Sequence, residues 1–350
     1  MASSTEFSKY PAFGGDVPFA PLPKISLEKL LANDADECNA LFQSCRSLGF
    51  FLLDLARTEA GEALVQDIDT LLDLARQTMA LPEEEKMKYI AKPPQRLFGY
   101  KSLGMMKTET NQPDRCEFFM LSQDEVNGLQ PAPHYPQPIS TQLSAFESYL
   151  AHARPIVELI CRVLSTSLGL PPSTLFEKQN PTSNSGTLIR LIKYPAVATE
   201  ADRRTALLPH TDMGTVTLLA GVLGGLQIPR RSKTSADVAE EVWEHIKPEP
   251  NCLVVNMGDA MVQWTGGVLR SSIHRVTYPP GTQAAYDRYS VAYLIRASSN
   301  ANMRRLKGGR IPDEDADGNY EDEDILAGEW EKRKNMALLS GKDCAKSTGG

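Results

Sequence analysis

From Thr187 to Ala297 the sequence breaks into six short β-rich runs, TLIRLIKY, TVTLLAGVL, GLQIP, CLVVNMG, VLRSSIHRVTYP and YSVAYLIRA, divided by Gly, Pro and Asp. Runs this short and this regularly punctuated predict antiparallel strands that pair into a sandwich or barrel. The part of the chain before them has a different period. ISLEKLLANDADECNALFQSCRS reads as one polar-punctuated helix, followed at Gly49 by a buried strand from Phe50 to Leu55. In the next segment Leu64, Ile68, Leu71, Leu72 and Ala75 fall at helical spacing, and Pro82 restarts a short helix. Residues 93–138 mix Pro, Gly and polar residues with short strand-like pieces, and a long helix or helix pair follows, kinked or broken at Pro155.

The simplest assembly of these pieces is one structural domain, mainly β with flanking helices. Residues 1–24 form an extended arm, flexible at its start, and residues 25–180 a mainly helical region packed on the barrel. Residues 181–300 form the double-sheet core, and residues 301–350 hold an acidic loop, a covering helix over 324–339 and a disordered tail. QIPRRSKTSADVAEEVWEHIKP inserts a polar hairpin or loop at the barrel edge.

Composition excludes several classes. With 41% hydrophobic and 23% charged residues over 350 positions, the chain is that of a soluble globular protein with a substantial core. A net charge of −7 gives no basic footprint for nucleic acid and disfavours anionic membrane surfaces. No apolar run approaches the ~18 residues of a membrane span, and the N-terminus has no apolar signal core. The six cysteines lack C-x-x-C spacing, so reduced thiols in a cytoplasmic protein are expected. The oligomeric state stays open, with a monomer expected.

The chemistry-bearing residues lie at the ends of the β-runs. LLPHTDMGTVTLL sets His210 and Asp212 two apart just before a strand, a pair that carries little alone. His274 follows on another run, 62 positions after Asp212. Arg288 and Ser290 start the run after that, and Tyr194 ends the run before His210. Two imidazoles and a carboxylate on one face of an ion make the triad of non-haem Fe(II) oxygenases, which leaves positions open for other ligands. Zinc accepts the same donors, so the donor set alone does not fix the metal. An open pair of positions suits a chelating 2-oxo acid, and the last one suits O2. Arg288 would grip the distal carboxylate of such an acid bidentately, as lysine cannot, with Ser290 at i+2 adding a hydroxyl and Tyr194 a third donor.

These residues sit within longer matching segments. The chain resembles the isopenicillin N synthase-like branch of Fe(II)/2-oxoglutarate-dependent oxygenases over roughly Ile25 to Ala297, with fungal biosynthetic members the nearest in character. The resemblance rests on CRSLGFFLLDL, ALPEEEKMKY and DRCEFF, then on HTDMGTVTLL, GGLQI, VVNMGDAMVQWTGGVLRSSIHRV and RYS. It implies a distorted double-stranded β-helix, or jelly roll, flanked by N-terminal helices. It implies His210, Asp212 and His274 as iron ligands and Arg288, Ser290 and Tyr194 as the co-substrate site. The implied enzyme is a dioxygenase using Fe(II), 2-oxoglutarate and O2, releasing succinate and CO2 while hydroxylating, desaturating or cyclising a small secondary metabolite. NMGDAMVQWTGG would make two tight turns that aim His274 at the metal, with Asp259 as a turn former.

The chain departs from the family pattern where plant members carry Asn-Tyr-Tyr-Pro, having Ile192-Lys193-Tyr194-Pro195 instead. The role of the missing Asn would fall to Arg190. The IKYP form is closer to the ring-closing oxidase that uses no 2-oxoglutarate, which stands as an alternative, as does a catalytically silent binding protein on the same barrel. Substrate contacts are expected from the segment 96–119, through Tyr100, Lys107, Arg115 and Phe118, and that segment with the helix 324–339 is the expected pocket cover. His134, His152 and His245 are read as non-ligands, His245 facing solvent.

Overall fold

In the β-runs, side chains alternate between two faces, and both faces here are largely apolar, so the sheet must be covered on both sides. The computed structural model describes residues 3–14, 16–93, 97–108, 110–230, 242–313 and 324–339. Its strands are β1 (Lys24–Ser26), β2 (Phe50–Asp54), β3 (Gly99–Lys101), β4 (Glu117–Ser122), β5 (Leu188–Tyr194) and β6 (Leu207–His210). They continue with β7 (Val216–Gly221), β8 (Leu226–Pro229), β9 (Trp243–His245), β10 (Cys252–Met257), β11 (His274–Val276) and β12 (Arg288–Leu294). Eight strands form a large sheet in the order β1-β2-β10-β7-β12-β5-β4-β3, and β6-β11-β8-β9 form a smaller one. All pairings are antiparallel except β1 with β2. Sheet-rich, with flanking helices, this is a jelly-roll core.

The two faces of the large sheet do different work. Ile189 and Leu191 of β5, with Val291 and Tyr293 of β12, join the core that the helices cover. Leu188, Ile192 and Tyr194, with Ala292 and Leu294, line the interior between the sheets. Helix Glu59–Met79 packs on the outer face and buries Leu64, Ile68, Leu71, Leu72 and Ala75. Thr58 caps it by accepting from the Gly61 amide at 3.0 Å, a contact typically worth about 1 kcal/mol.

Several local expectations are revised. Helix Leu143–Ser167 runs through Pro155 without ending, because Ile156, Val157, Leu159 and Ile160 are all buried and packing outweighs the lost backbone bond. The segment 25–47 makes two helices, Leu27–Leu31 and Ala35–Ser47. Asn33 turns the chain at φ 54° and Asp34 caps the second helix through the Glu37 amide at 2.9 Å. The arm is not extended from its start: Ser4–Phe7 form a helical turn whose buried Glu6 pairs with Arg76. β1 to β4 come from the region read as mainly helical, yet supply half of the large sheet. The C-terminal helix begins at Ala327. The tip of the polar insertion (231–241), most of the acidic loop (314–323) and the tail (340–350) lie outside the described residues. No described helix is long and apolar enough to cross a membrane.

Candidate active site

His210 ends β6 and His274 begins β11, and the antiparallel register sets the two directly opposite. Their rings lie 4.4 Å apart, centroid to centroid, with Phe50 edge-on to His274 at 5.5 Å. In each ring Nδ1 faces a backbone carbonyl two residues back, Leu208 O at 2.8 Å and Ser272 O at 3.2 Å. A carbonyl only accepts, so Nδ1 carries the proton and Nε2 presents its lone pair. Both Nε2 atoms face Asp212 Oδ1, at 3.9 Å and 4.0 Å.

The other oxygen of Asp212 is held from behind. Thr217 donates to Oδ2 at 2.6 Å and Asn256 at 2.8 Å. These two residues are the ligand-orienting partners that the sequence did not reveal. Burial alone would raise the Asp212 carboxyl, but His274, His210 and the two hydrogen bonds outweigh it and hold it down at about 2. Burial and the neighbouring His274 push His210 down to about 4, so its imidazole is neutral near pH 7.

The loop carrying Asp212 is clamped by backbone. Asp259 N donates to Asp212 O at 2.8 Å, Gly258 N to Thr215 O at 2.8 Å, and Thr215 N to Ile295 O at 2.8 Å. Two glycines permit this approach: a Cβ on Gly214 would stand 2.1 Å from Ile295 O, and one on Gly258 2.2 Å from Gly214 O. In place of two tight turns, residues Asp259–Thr265 form a short helix that ends at Gly266, in the left-handed region at φ 57°. Asp259, expected as a turn former, instead opens this helix. It accepts from Thr211 at 3.2 Å and from Lys334 of the C-terminal helix at 2.6 Å. That helix is tied down a second time by Arg296 and Glu331 at 3.3 Å.

Deeper in the barrel, Arg288 is buried, with Nε donating to Gly224 O at 2.8 Å and Nη1 to Ser290 Oγ at 3.2 Å. The Tyr194 ring lies beneath the guanidinium at 4.9 Å, so the contact seen is with the ring face. No carboxylate among the described residues pairs with Arg288. A small cavity against it is lined by Leu219, Gly221, Leu226, Ile246 and Val254. A buried cation without a counter-charge at the end of an apolar slot suits the distal carboxylate and methylenes of a 2-oxo diacid.

The expected substrate residues fare unequally. Phe118 faces the barrel interior. Tyr100 belongs to the outer core and donates to Glu117 at 2.6 Å, so it points away from the triad. Arg115 pairs with Asp202 and donates to Ala196 O at 2.8 Å, tying a loop rather than facing the interior. Lys107 is exposed in a bridge to Pro113. His245 is buried, not solvent-facing, with Nε2 3.0 Å from Gln227 Nε2, because the N-terminal arm covers it through Phe13 and Ala20. Among the described residues His210, Asp212 and His274 form the one group of three arranged to hold a metal, their donor atoms within 4.8 Å of one another. Two imidazoles with their tautomers fixed and an ionised carboxylate fit an iron(II) ion.

A jelly roll holding two imidazoles and a carboxylate on one face, with a buried arginine behind, defines a non-haem Fe(II) oxygenase. Residues 22–139 match the family described as non-haem dioxygenase in morphine synthesis N-terminal, and residues 185–297 match the 2OG-Fe(II) oxygenase superfamily. The chain belongs to this superfamily. It is 28% identical to a 2-oxoglutarate-dependent dioxygenase of Aspergillus fumigatus, over 86% of this chain and 82% of the relative. A full-length Neurospora crassa protein, solved with alpha-KG and 5-formyluracil, shares the fold at TM-score 0.73 and 20% identity, covering 93% of this chain and 99% of that one. JOX2, solved with 2OG, Fe and JA, matches at TM-score 0.66 and 25% identity over 87% of this chain and 84% of its own. The chain is a 2-oxoglutarate-dependent Fe(II) dioxygenase.

Proposed function

We propose that His210, Asp212 and His274 hold Fe(II) and that Arg288 and Ser290, over the Tyr194 ring, hold the distal carboxylate of 2-oxoglutarate, for oxidation of a small secondary metabolite. The observation that carries this is the convergence of two Nε2 lone pairs on one carboxylate oxygen, with every other donor atom of the three side chains already engaged. Bound Fe(II) supplies the chemistry: 2-oxoglutarate and O2 become succinate and CO2 while a substrate C–H bond is oxidised. The protein's own residues orient and exclude. Thr217 and Asn256 keep Asp212 aimed at the ion, and the backbone carbonyls of Leu208 and Ser272 fix the imidazole tautomers. Arg288 selects a diacid over a monoacid, because a shorter acid leaves the buried guanidinium unpaired.

The relative's name and the 2OG and iron bound by JOX2 support 2-oxoglutarate over the oxidase chemistry that dispenses with it. The described cysteines, all free, support a cytoplasmic setting. The test is succinate release on incubation with 2-oxoglutarate, O2, ascorbate and Fe(II). Slow release that needs both iron and 2-oxoglutarate, and vanishes in Asp212→Ala, supports the reading. Equal release without 2-oxoglutarate-derived carbon, or activity with zinc alone, overturns it.

A further inference from the structure

The barrel contains a second guanidinium, partly buried, that the proposed function does not use. Arg190 sits on β5 between Leu188 and Ile192, both interior residues, and lies opposite Met120 on β4 and Ala292 on β12. The register places it by level. Thr217 and Asn256, which hold Asp212, lie in the row of β12 Leu294 and β5 Leu188. Arg190 is in the next row, and Ile192 with Ser290 in the row after that. Arg190 therefore stands between the level of the triad and that of the co-substrate anchor, displaced sideways towards β4.

Its contacts are poor for a charge so placed. The guanidinium lies over Phe118 at 4.4 Å, and Nη2 reaches only the thioether of Met120 at 3.7 Å. Nε is shielded from solvent and has no hydrogen-bond partner, although the residue as a whole keeps some exposure. No carboxylate among the described residues pairs with it. Of the cations around it, Lys101, over the same Phe118 ring, is matched by Asp114, and Arg296 by Glu331. Burying an unpaired charge is costly, and a protein that keeps one in a ligand cavity gains when an anion arrives.

The charges of the loaded site sharpen this. Fe(II) and Arg288 together bring three positive charges, and Asp212 with the two carboxylates of 2-oxoglutarate cancels them. Arg190 is left over. We propose that Arg190 is the substrate anchor, pairing with a single carboxylate on an otherwise apolar organic substrate whose ring or chain packs on Phe118 and Met120. A planar guanidinium whose Nη1 carries no hydrogen bond and whose Nη2 meets only a thioether can take a carboxylate end-on in two parallel hydrogen bonds. Met and Phe beside it accept an irregular apolar body.

The inference rests on the proposed iron and co-substrate site, so the experiment separates the two. Anaerobic Fe(II)–2-oxoglutarate protein is titrated calorimetrically with phenylacetate, indole-3-acetate, trans-cinnamate and octanoate, each beside its primary amide. The same titrations are run on Arg190→Met and Arg190→Lys, with 2-oxoglutarate binding followed by its visible charge-transfer band. The expected result is at least one acid bound tenfold or more tightly than its own amide. That preference disappears in Arg190→Met and is partly kept in Arg190→Lys, while 2-oxoglutarate saturation moves less than twofold. Arg190→Met should melt no lower than the parent protein, since it removes a partly buried charge that has no counter-charge in contact. Several findings overturn the assignment. These are the absence of any acid preference, including no binding at all, a tenfold loss of 2-oxoglutarate affinity in Arg190→Met, or a clear fall in its melting temperature. If the parent protein forms no charge-transfer band, the co-substrate site fails instead, and the acid-against-amide comparison on the Fe(II) protein still decides Arg190.

Discussion

Asn256→Ala tests whether the carboxylate ligand depends on the groups behind it. In the structure Asn256 Nδ2 donates to Asp212 Oδ2 at 2.8 Å, sharing that oxygen with Thr217 at 2.6 Å. A hydrogen bond to a buried charged group is worth about 1.5–3 kcal/mol. The metal-free carboxylate uses the same bond, so part of this loss falls on folding rather than on iron binding. What falls on the metal is orientation: a freed Asp212 rotates its Oδ1 away from the two Nε2 atoms. Losses of a metal ligand's orienting partner run about ten- to a hundredfold in affinity. With Thr217 still in place, the lower end, roughly tenfold, is expected for Asn256→Ala. The double variant with Thr217→Val should lose more than the two single losses combined, because both act on one oxygen. The assay is anaerobic competition for Fe(II) against a chromophoric chelator, with circular dichroism to establish that each variant is folded. A folded Asn256→Ala protein that binds iron within twofold of the parent would refute the reasoning.

Three further outcomes follow from the same geometry. Arg288→Lys keeps the charge but loses the Nε bond to Gly224 and the fork, so half-saturation by 2-oxoglutarate should rise roughly ten- to a hundredfold while iron affinity is unchanged. Equilibrium titration of both ligands checks this. Gly258→Ala forces a methyl within 2.2 Å of Gly214 O, so the Asp212 loop must shift. The protein should lose about 1–3 kcal/mol in urea denaturation, and iron affinity with it. His245 is pushed down to about 4 by burial first and by Arg275 second. Its folded form stays neutral while the unfolded chain takes up a proton below pH 6.5, so stability falls as pH drops from 6.5 towards 4. His245→Gln should show a shallower fall in melting temperature between pH 7 and pH 5, and an identical slope would remove His245 as the cause.

The sequence carried the metal site further than the substrate site, for a physical reason. Iron needs specific donor atoms, and few residue types supply them, so His210, Asp212 and His274 stand out among five histidines. Arg288 and Ser290 were legible because a two-residue spacing on a strand puts them on one face. Asn256 and Thr217 were not, since a polar residue in a strand carries no mark of the side chain it will meet across a sheet. Tyr100 and Phe118 show the same limit from the other side. Both are aromatic and close in sequence, yet strand parity sends Phe118 into the barrel and Tyr100 against the helices. Arg115 and His245 were misplaced because their surroundings, the Asp202 loop and the N-terminal arm, are distant in the chain. The arm itself reads as extended from its glycines and prolines; Lys9, three residues on, and Arg76, on a helix 70 positions away, both pair with the buried Glu6 of its helical turn.

The central claim is that one chain brings iron and 2-oxoglutarate together through His210, Asp212, His274 and Arg288. Its most direct test is an anaerobic titration of the Fe(II) protein with 2-oxoglutarate, following the weak visible charge-transfer band of the bidentate chelate. The account predicts a band that saturates at one 2-oxoglutarate per chain, is absent in Asp212→Ala, and appears in Arg288→Ala only at far higher 2-oxoglutarate. Iron that binds without any band, or a band indifferent to Arg288, would contradict it.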